Sequence, residues 1–522
     1  MTLVTRRDFL GRSTAGISSL TLSPALLELL MSTAGCSRRP APALLDLIVP
    51  EEVLNKAVAL LMAKGASFAD VFVERAAFDS VSSDDKKINT STVVEKGVGL
   101  RAVKDGKTFY AYTSSFVPEQ IYSTARYVAA AASQGGGGPE GKVFTLVPQR
   151  STLAFPVKPP PSEIAIERKI DLFKALTDRA WSADSRVVQV GQFMRESIRQ
   201  VNIAASSGKI VNQALALTEF MASTHMKDKE GNLQLGFDGR AAYAGRDFFT
   251  GQNAFERIVD KSGARAKALL DAVDSPRGRF PVVLAPGDNG VLFHESCGHG
   301  MEADLVFKGS NFKDQLGKQT AAKGVTLVDD GTLPQMPGSF AFDDEGTPSE
   351  RTVLIEDGVQ RGYLCDQIWG ARLGLKSTGN GRREPFRYPP IPRMRNTFIE
   401  KGARLPEEII SSTKRGIYVA VGGGGQIDVI TGNFMMGVGE GYLIENGKMT
   451  RPIKGATLSG MGIQALKTID LIGNDLQMFA SPGRCGKVQS VPVGFGMPTV
   501  RVRGILVGGK GEAWEDKERG AL

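Results

Sequence analysis

His294-Glu295-Ser296-Cys297-Gly298-His299-Gly300-Met301-Glu302-Ala303-Asp304 holds two of the chain's three histidines, with a glutamate directly after the first. Imidazole and carboxylate are metal ligands and proton carriers, and histidine is scarce elsewhere, so this is the strongest chemical signal in the sequence. In the common His-Glu-x-x-His motif the rings are four residues apart, which on a helix of 3.6 residues per turn leaves them about 40° apart on one face. Here the offset is five, and on a regular helix the rings would diverge by roughly 140°. A single i→i+5 turn of π type brings such positions back over each other. Gly298, directly before the second histidine, is the residue expected to accommodate the distortion. The stretch therefore predicts a bulged metal-binding helix, with His294 and His299 as ligands and Glu295 aimed at a water in the site.

A hydrolytic zinc site keeps three protein ligands and one open position. Cys485, in Ser481-Pro482-Gly483-Arg484-Cys485-Gly486-Lys487, is the attractive third ligand, because a Gly-flanked loop can approach a metal closely. Glu302 and Asp304, on the same predicted helix, and Cys297, inside the motif, compete with it. The four cysteines, Cys36, Cys297, Cys365 and Cys485, are too few and too dispersed for a disulfide framework. Metal ligation gives one of them a role.

Upstream of the motif, residues 280–285 read as a strand that Pro286-Gly287 turns into the metal helix. Downstream the chain is rich in Gly and short strands, with hairpins signalled at Glu356-Asp357-Gly358 and Glu445-Asn446-Gly447. Gly422 to Gly425 interrupt what would be long strands. They lack a following Lys-Ser/Thr and open no helix, which excludes a phosphate loop. This half predicts a barrel-like or sandwich sheet with the metal helix packed against it.

The first half reads as helix, antiparallel strands, helix, antiparallel strands. Pro50 opens a helix with Val53, Leu54, Ala57, Val58 and Leu61 on one face and Gly65 at its end. Strands follow at 69–74, 97–103 and 108–113, the last two joined by Asp105-Gly106. A helix spans 118–132, ended by Gly135 to Gly138. Ser162 caps another whose apolar face is Ile166, Ile170, Phe173 and Leu176. Strands over 186–249, with turns at Ser207-Gly208 and Glu230-Gly231, lead to a helix over 254–273. The fold class is α+β with two domains, an N-terminal antiparallel sheet with helices over 50–275 and a C-terminal metal-binding domain over 276–522.

At 522 residues two domains are the natural expectation. The hydrophobic content of 42% and charged content of 23% are those of an ordinary globular protein. The net charge of +8 is scattered, without a dense Lys/Arg stripe, so no nucleic-acid partner is expected. Thr5-Arg6-Arg7-Asp8-Phe9-Leu10 and the weakly apolar run after it read as a twin-arginine export signal over residues 1–35. Thr33-Ala34-Gly35-Cys36 resembles a lipoprotein box with Cys36 as lipid acceptor, followed by a tether over 36–49. The expected location is the periplasm, free or membrane-anchored.

From residue 50 to the end the sequence resembles the TldD/PmbA family, and in particular its TldD branch. The resemblance rests on the His-Glu-x-x-x-His motif and on Ala69-Asp70-Val71-Phe72, Gly97-Val98-Gly99-Leu100-Arg101, Asp343-Asp344-Glu345-Gly346-Thr347, Gly379-Asn380-Gly381-Arg382-Arg383, Pro392-Arg393-Met394, Gly423-Gly424-Gly425-Gln426, Glu440-Gly441-Tyr442-Leu443-Ile444 and Val491-Pro492-Val493-Gly494. It implies a zinc metallopeptidase acting on peptides or unfolded segments, with Cys485 as third zinc ligand and Glu295 as general base. It also implies a heterodimer with a PmbA/TldE-like homologue; a homodimer is the other assembly considered. A thiolate ligand would make the ion a weaker Lewis acid and turnover slow. The contrasting expectation is a non-catalytic peptide- or partner-binding subunit with a structural metal.

Overall fold

Pro50 precedes α1 (Glu51–Met62), which buries the predicted stripe Val53, Leu54, Ala57, Val58 and Leu61. The structure, a computed structural model, describes residues 46–133, 146–149, 151, 165–244 and 254–515. The export signal, Cys36, Gly135 to Gly138 and the Ser162 cap lie outside the described residues. α1 packs with α2 (Pro118–Ala132) on a sheet that begins with β1 (Phe68–Asp84), β2 (Lys87–Lys104) and β3 (Lys107–Thr113). β1 continues antiparallel to β4 (Val187–Ala205), then β5 (Lys209–Lys227) and β6 (Leu233–Ala242).

The strands expected at 69–74 and 97–103 are the inner parts of a hairpin of 17 and 18 residues. Their outer parts escape pattern reading because most of 87–96 is exposed, and alternation is legible only where one face is buried. The far end of the sheet carries α3 (Ile166–Ala183) and α4 (Ala254–Leu270), locked by the edge-to-face rings of Phe173, Phe220 and Phe255. Ile166, expected on the apolar face of α3, is exposed. The buried position one turn before Phe173 belongs instead to Lys169, whose ammonium meets Glu196 at 2.5 Å.

The second half is built on an 11-stranded sheet that curls into a half-barrel. At its centre β7 (Val282–Leu284) runs parallel to a long strand over Arg415–Ile427, which pairs with the strand Asn433–Glu445. Gly422 to Gly425 do not interrupt the first of these. They lie within it, where the register against its partner slips at three places, and such bulges bend a strand and increase its twist. A second, six-stranded sheet includes β8 (Leu327–Asp330), β9 (Asn396–Ile399) and a strand over Gly494–Met497. The hairpins at Asp357-Gly358 and Asn446-Gly447 form as expected, each with two positive φ angles.

Loop residues Asp344 and Glu345 dock the second half onto the first sheet. Arg101 of β2 pairs with Asp70 of β1 and, at 2.8 Å, with Glu345. Arg199 of β4 holds Glu74 at 2.6 Å and Asp344 at 3.1 Å. Arg101, Asp70 and Glu345 are fully buried, so removing the cation leaves Glu345 without its buried ion-pair partner and Asp70 with only the longer contact to Arg383 at 3.4 Å. Arg101→Met should cost about 3–5 kcal/mol, measured as a lower urea midpoint; a loss under about 1 kcal/mol would show that the pairing is not what joins the halves.

Candidate metal centre

The histidine segment is a series of short turns. Asp288–Gly290 is a 3-10 turn, Val291–Phe293 a single α turn, His294–Gly298 a π turn and His299–Met301 a second 3-10 turn. The amide of His299 donates to the carbonyl of His294, the i→i+5 closure that the spacing requires. Leu292, Phe293, Cys297 and Met301 face the main core of the second half, and Ser296 Oγ donates to the carbonyl of Leu292 at 2.6 Å. Both histidine rings thereby leave the segment on the other side, edge to face, 5.7 Å apart.

The reason for glycine at 298 differs from the one expected. Its backbone is helical, φ −57° and ψ −47°, a conformation open to any residue. A Cβ there would collide with Met394 Sδ. The helix also ends earlier than the pattern implied: Glu302 is extended, φ −73° and ψ 129°, before a new turn begins at Ala303. Glu302 and Asp304 therefore do not continue the helix of His299.

The donor atoms of His294, Glu295, His299 and Cys485 all lie within 4.8 Å of one another. Cys485 Sγ is 3.1 Å from His299 Nε2. Glu295 places its carboxylate oxygens 3.6 Å from His299 Nε2 and 4.0 Å from His294 Nε2. His294, His299 and Cys485 are buried, whereas the Glu295 side chain is 26% exposed. Both ring nitrogens of His294 are buried without a hydrogen-bond partner among the described residues. Idle buried nitrogens are costly, and a cation between His294, His299 and Cys485 would give one of them its partner. Two imidazoles and a thiolate are a donor set that suits zinc.

Cys485 is on a two-stranded hairpin, Arg484–Lys487 with Gln489–Pro492, rather than a loose loop. Burial alone would raise its thiol, but the facing rings of His299 and His294 hold it well below the ordinary range. His299 is held well above its ordinary value, burial being outweighed by Cys485 and Glu302. Glu302 meets His299 Nδ1 at 2.8 Å, fixing the ring so that Nε2 points into the site. The same carboxylate accepts from the amide of Met394 at 3.1 Å and pairs with Lys487 at 2.8 Å. Asp304 is likewise engaged by Lys487, at 2.8 Å. Cys297 sits in the apolar core, where burial pushes its thiol up to about 12.

Of the four residues considered for the third position, the structure brings Cys485 to the histidines. Lys487 and Arg393 were not anticipated. Arg393 donates to the carbonyls of Cys485 and Gln489 at 2.7 and 2.5 Å, and so holds the hairpin over the site. The only local signal for Lys487 is its place two residues after Cys485, on the same face of a strand.

The chain matches models of three parts of one family: PmbA/TldA metallopeptidase domain 1 over residues 69–133, the central domain over 159–270 and the C-terminal domain over 277–509. A metalloprotease TldD homolog from Buchnera aphidicola is 34% identical over 423 residues, 80% of this chain and 87% of the relative. One from Haemophilus influenzae is 34% identical over 454 residues, 85% and 94% of the two chains. A zinc metalloprotease TldD homolog from Saccharolobus solfataricus is 32% identical over 49% of this chain and 56% of its own. Among solved structures, a suggested modulator of a DNA gyrase from Thermotoga maritima has a TM-score of 0.72 at 22% identity, covering 88% of this chain and all of its own. TldE from Thermococcus kodakarensis has a TM-score of 0.69 at 20% identity, over 88% and 99%. At these identities the solved structures speak for the fold alone.

The contact between Gly298 and Met394 gives a test of the turn. Gly298→Ala should destabilise the chain by about 1–3 kcal/mol and lower metal content, and Met394→Ala in the same chain should restore part of both. Denaturant melts with metal analysis check this, and a double variant no better than Gly298→Ala would remove the steric explanation.

Proposed function

Since the chain belongs to the PmbA/TldA metallopeptidase family, we propose that it is a zinc-dependent peptidase that hydrolyses peptides or unfolded protein segments. The observation that carries this reading is the convergence of three buried donors, one of them a histidine whose ring nitrogens have no hydrogen-bond partner among the described residues, with the partly exposed Glu295 beside them. His294, His299 and Cys485 would hold the ion. Bound zinc supplies Lewis acidity, polarising a carbonyl and lowering the pKa of a water beside it. Glu295 accepts the proton of the attacking water on a carboxylate oxygen and passes it to the leaving amine. Glu302 keeps His299 in the tautomer that turns Nε2 to the site, and Lys487 and Arg393 neutralise the carboxylate that does so. A non-catalytic subunit with a structural metal would need a closed site, and the exposure of Glu295 speaks against it.

The similarity to TldD homologues favours a heterodimer with a PmbA/TldE-like homologue as the working assembly, as the resemblance to the TldD branch implies, a homodimer being its alternative. We further propose that Arg6 and Arg7 direct export by the twin-arginine route, that Cys36 carries lipid, and that the division between the two domains falls between residues 275 and 276.

Two variants separate the roles of base and ligand. Glu295→Gln should retain near-stoichiometric zinc and lose at least about two orders of magnitude of hydrolysis of an unstructured peptide. Cys485→Ser should instead lower zinc affinity by well over about tenfold, and the X-ray absorption of the parent protein should contain sulfur at about 2.3 Å from zinc. Parental turnover in the first variant, or only nitrogen and oxygen around the ion, would overturn the assignment. For localisation, replacing both Arg6 and Arg7 by Lys should leave the protein in the cytoplasm on fractionation, and unchanged export would exclude the twin-arginine route.

A further inference from the structure

A cavity of about 70 Å³ lies between the first sheet and the second half of the chain, beside the hairpin that carries Cys485. Successive side chains of a strand leave on opposite faces. Arg484 therefore lines this cavity while its neighbour Cys485 joins the metal donors. Four guanidinium groups line the space: Arg199 from the first sheet, and Arg382, Arg383 and Arg484 from the second half.

Their partners within the protein are unevenly distributed. Arg199 is paired with Glu74 and Asp344. Arg383 stacks on Phe72, donates to the carbonyl of Asp344 at 2.9 Å and reaches Asp70 only at 3.4 Å, an acid that Arg101 already engages. Arg382 donates to the carbonyls of Met394 and Pro492 at 2.6 and 2.7 Å, and neither it nor Arg484 forms an ion pair with a described residue. Five carboxylates share the wall, Glu74, Glu95, Asp343, Asp344 and Glu384, and each has partners of its own. Glu95 pairs with Arg387, and Glu384 accepts from the amide of Ser490. Asp343 accepts from the amides of Glu345, Thr347 and Gly381 and is pushed up to about 8 by burial. Glu74 also accepts from the amide of Phe386, and Asp344 from that of Arg383.

Three N–H groups remain buried with no acceptor among the described residues: Nη2 of Arg199, Nε of Arg383 and Nε of Arg484. A guanidinium keeps its charge at any ordinary pH, and burying it without a counter-charge is strongly disfavoured. Burial pushes Arg382 down to about 10 and lowers Arg484 as well. A protein that keeps such charges in a shared cavity has a place for an anion.

We propose that this cavity binds a small oxyanion, the carboxylate of a peptide chain or a free phosphate. One water needs about 10–15 Å³ of such space, so the cavity has room for a carboxylate or phosphate group. Planar guanidinium forks match the oxygens of both groups. An anion here accepts from both halves of the chain at once. It braces the hairpin from the face opposite the metal donors, so its occupancy is coupled to how firmly Cys485 is held.

The experiment is calorimetric titration of the zinc-loaded full chain at constant ionic strength, with chloride as the balancing anion. The probes are sodium phosphate, a tripeptide with a free C-terminus, and the same tripeptide amidated. One saturable site is expected, weakened at least tenfold in Arg484→Gln and in Arg382→Gln at unchanged zinc content, which separates it from anion binding at the metal. Arg484 is only partly buried, so its variant is the one expected to fold even where Arg382→Gln does not. Phosphate binding that the free tripeptide does not displace assigns the site to inorganic phosphate. Displacement by the free tripeptide and not by its amide assigns it to a chain terminus. No saturable binding of phosphate or either peptide, or parental affinity in the folded variants, would overturn the proposal.

Discussion

The hydrogen bond from the amide of His299 to the carbonyl of His294 is the constraint on which the rest of the site depends. An α turn at this point would send the two rings to different faces, one of them into the core. The π turn puts both on one side while Leu292, Phe293, Cys297 and Met301 remain in the main core. Such a turn is held by its surroundings. Met394 presses its sulfur onto Gly298, donates its amide to Glu302, and Glu302 in turn holds the ring of His299. The chain entering β9 thus touches the π turn at its backbone and at its second histidine.

Cys485 is positioned by two cations, one of them on its own strand. Arg393 binds the hairpin backbone at Cys485 and Gln489, and Lys487 reaches from the hairpin to Glu302, Asp304 and the carbonyl of Pro392. Buried charges of this kind are tolerable only as a complete set. The hairpin, the strand entry and the segment after the histidines are therefore placed together or not at all. Glu295 stands outside this set, partly exposed, which is the position that the proposed role of proton acceptor requires.

Several motifs that carry the family resemblance turn out to serve the seam between the two halves. Asp70, Arg101, Glu345 and Arg383 form a buried ionic network, and the ring of Phe386 occupies the space that side chains at Gly97 would need. Within that seam Asp343 is pushed up to about 8, by burial first and by Glu345 next. The arginine-lined cavity belongs to the same junction. The metal hairpin is thus supported on one side by the groups around Glu302 and on the other by contact with the first sheet.

What the sequence determined alone was whatever a short window encodes. The five-residue spacing requires a π turn, Pro50 and a 3.6-residue period define α1, and Asp-Gly or Asn-Gly pairs place hairpins because only certain residues accept two positive φ angles in succession. Cys485 could be named as a candidate, but its approach to His299, 186 residues away in the chain, is visible only in the fold. The length of the first hairpin, the steric need for Gly298, the break at Glu302 and the parts played by Lys487 and Arg393 were tertiary outcomes too. A backbone preference leaves its mark in neighbouring residues. The convergence of donors, and the neutralisation of a buried charge, depend on partners that loop closure brings together, and those partners leave no local trace.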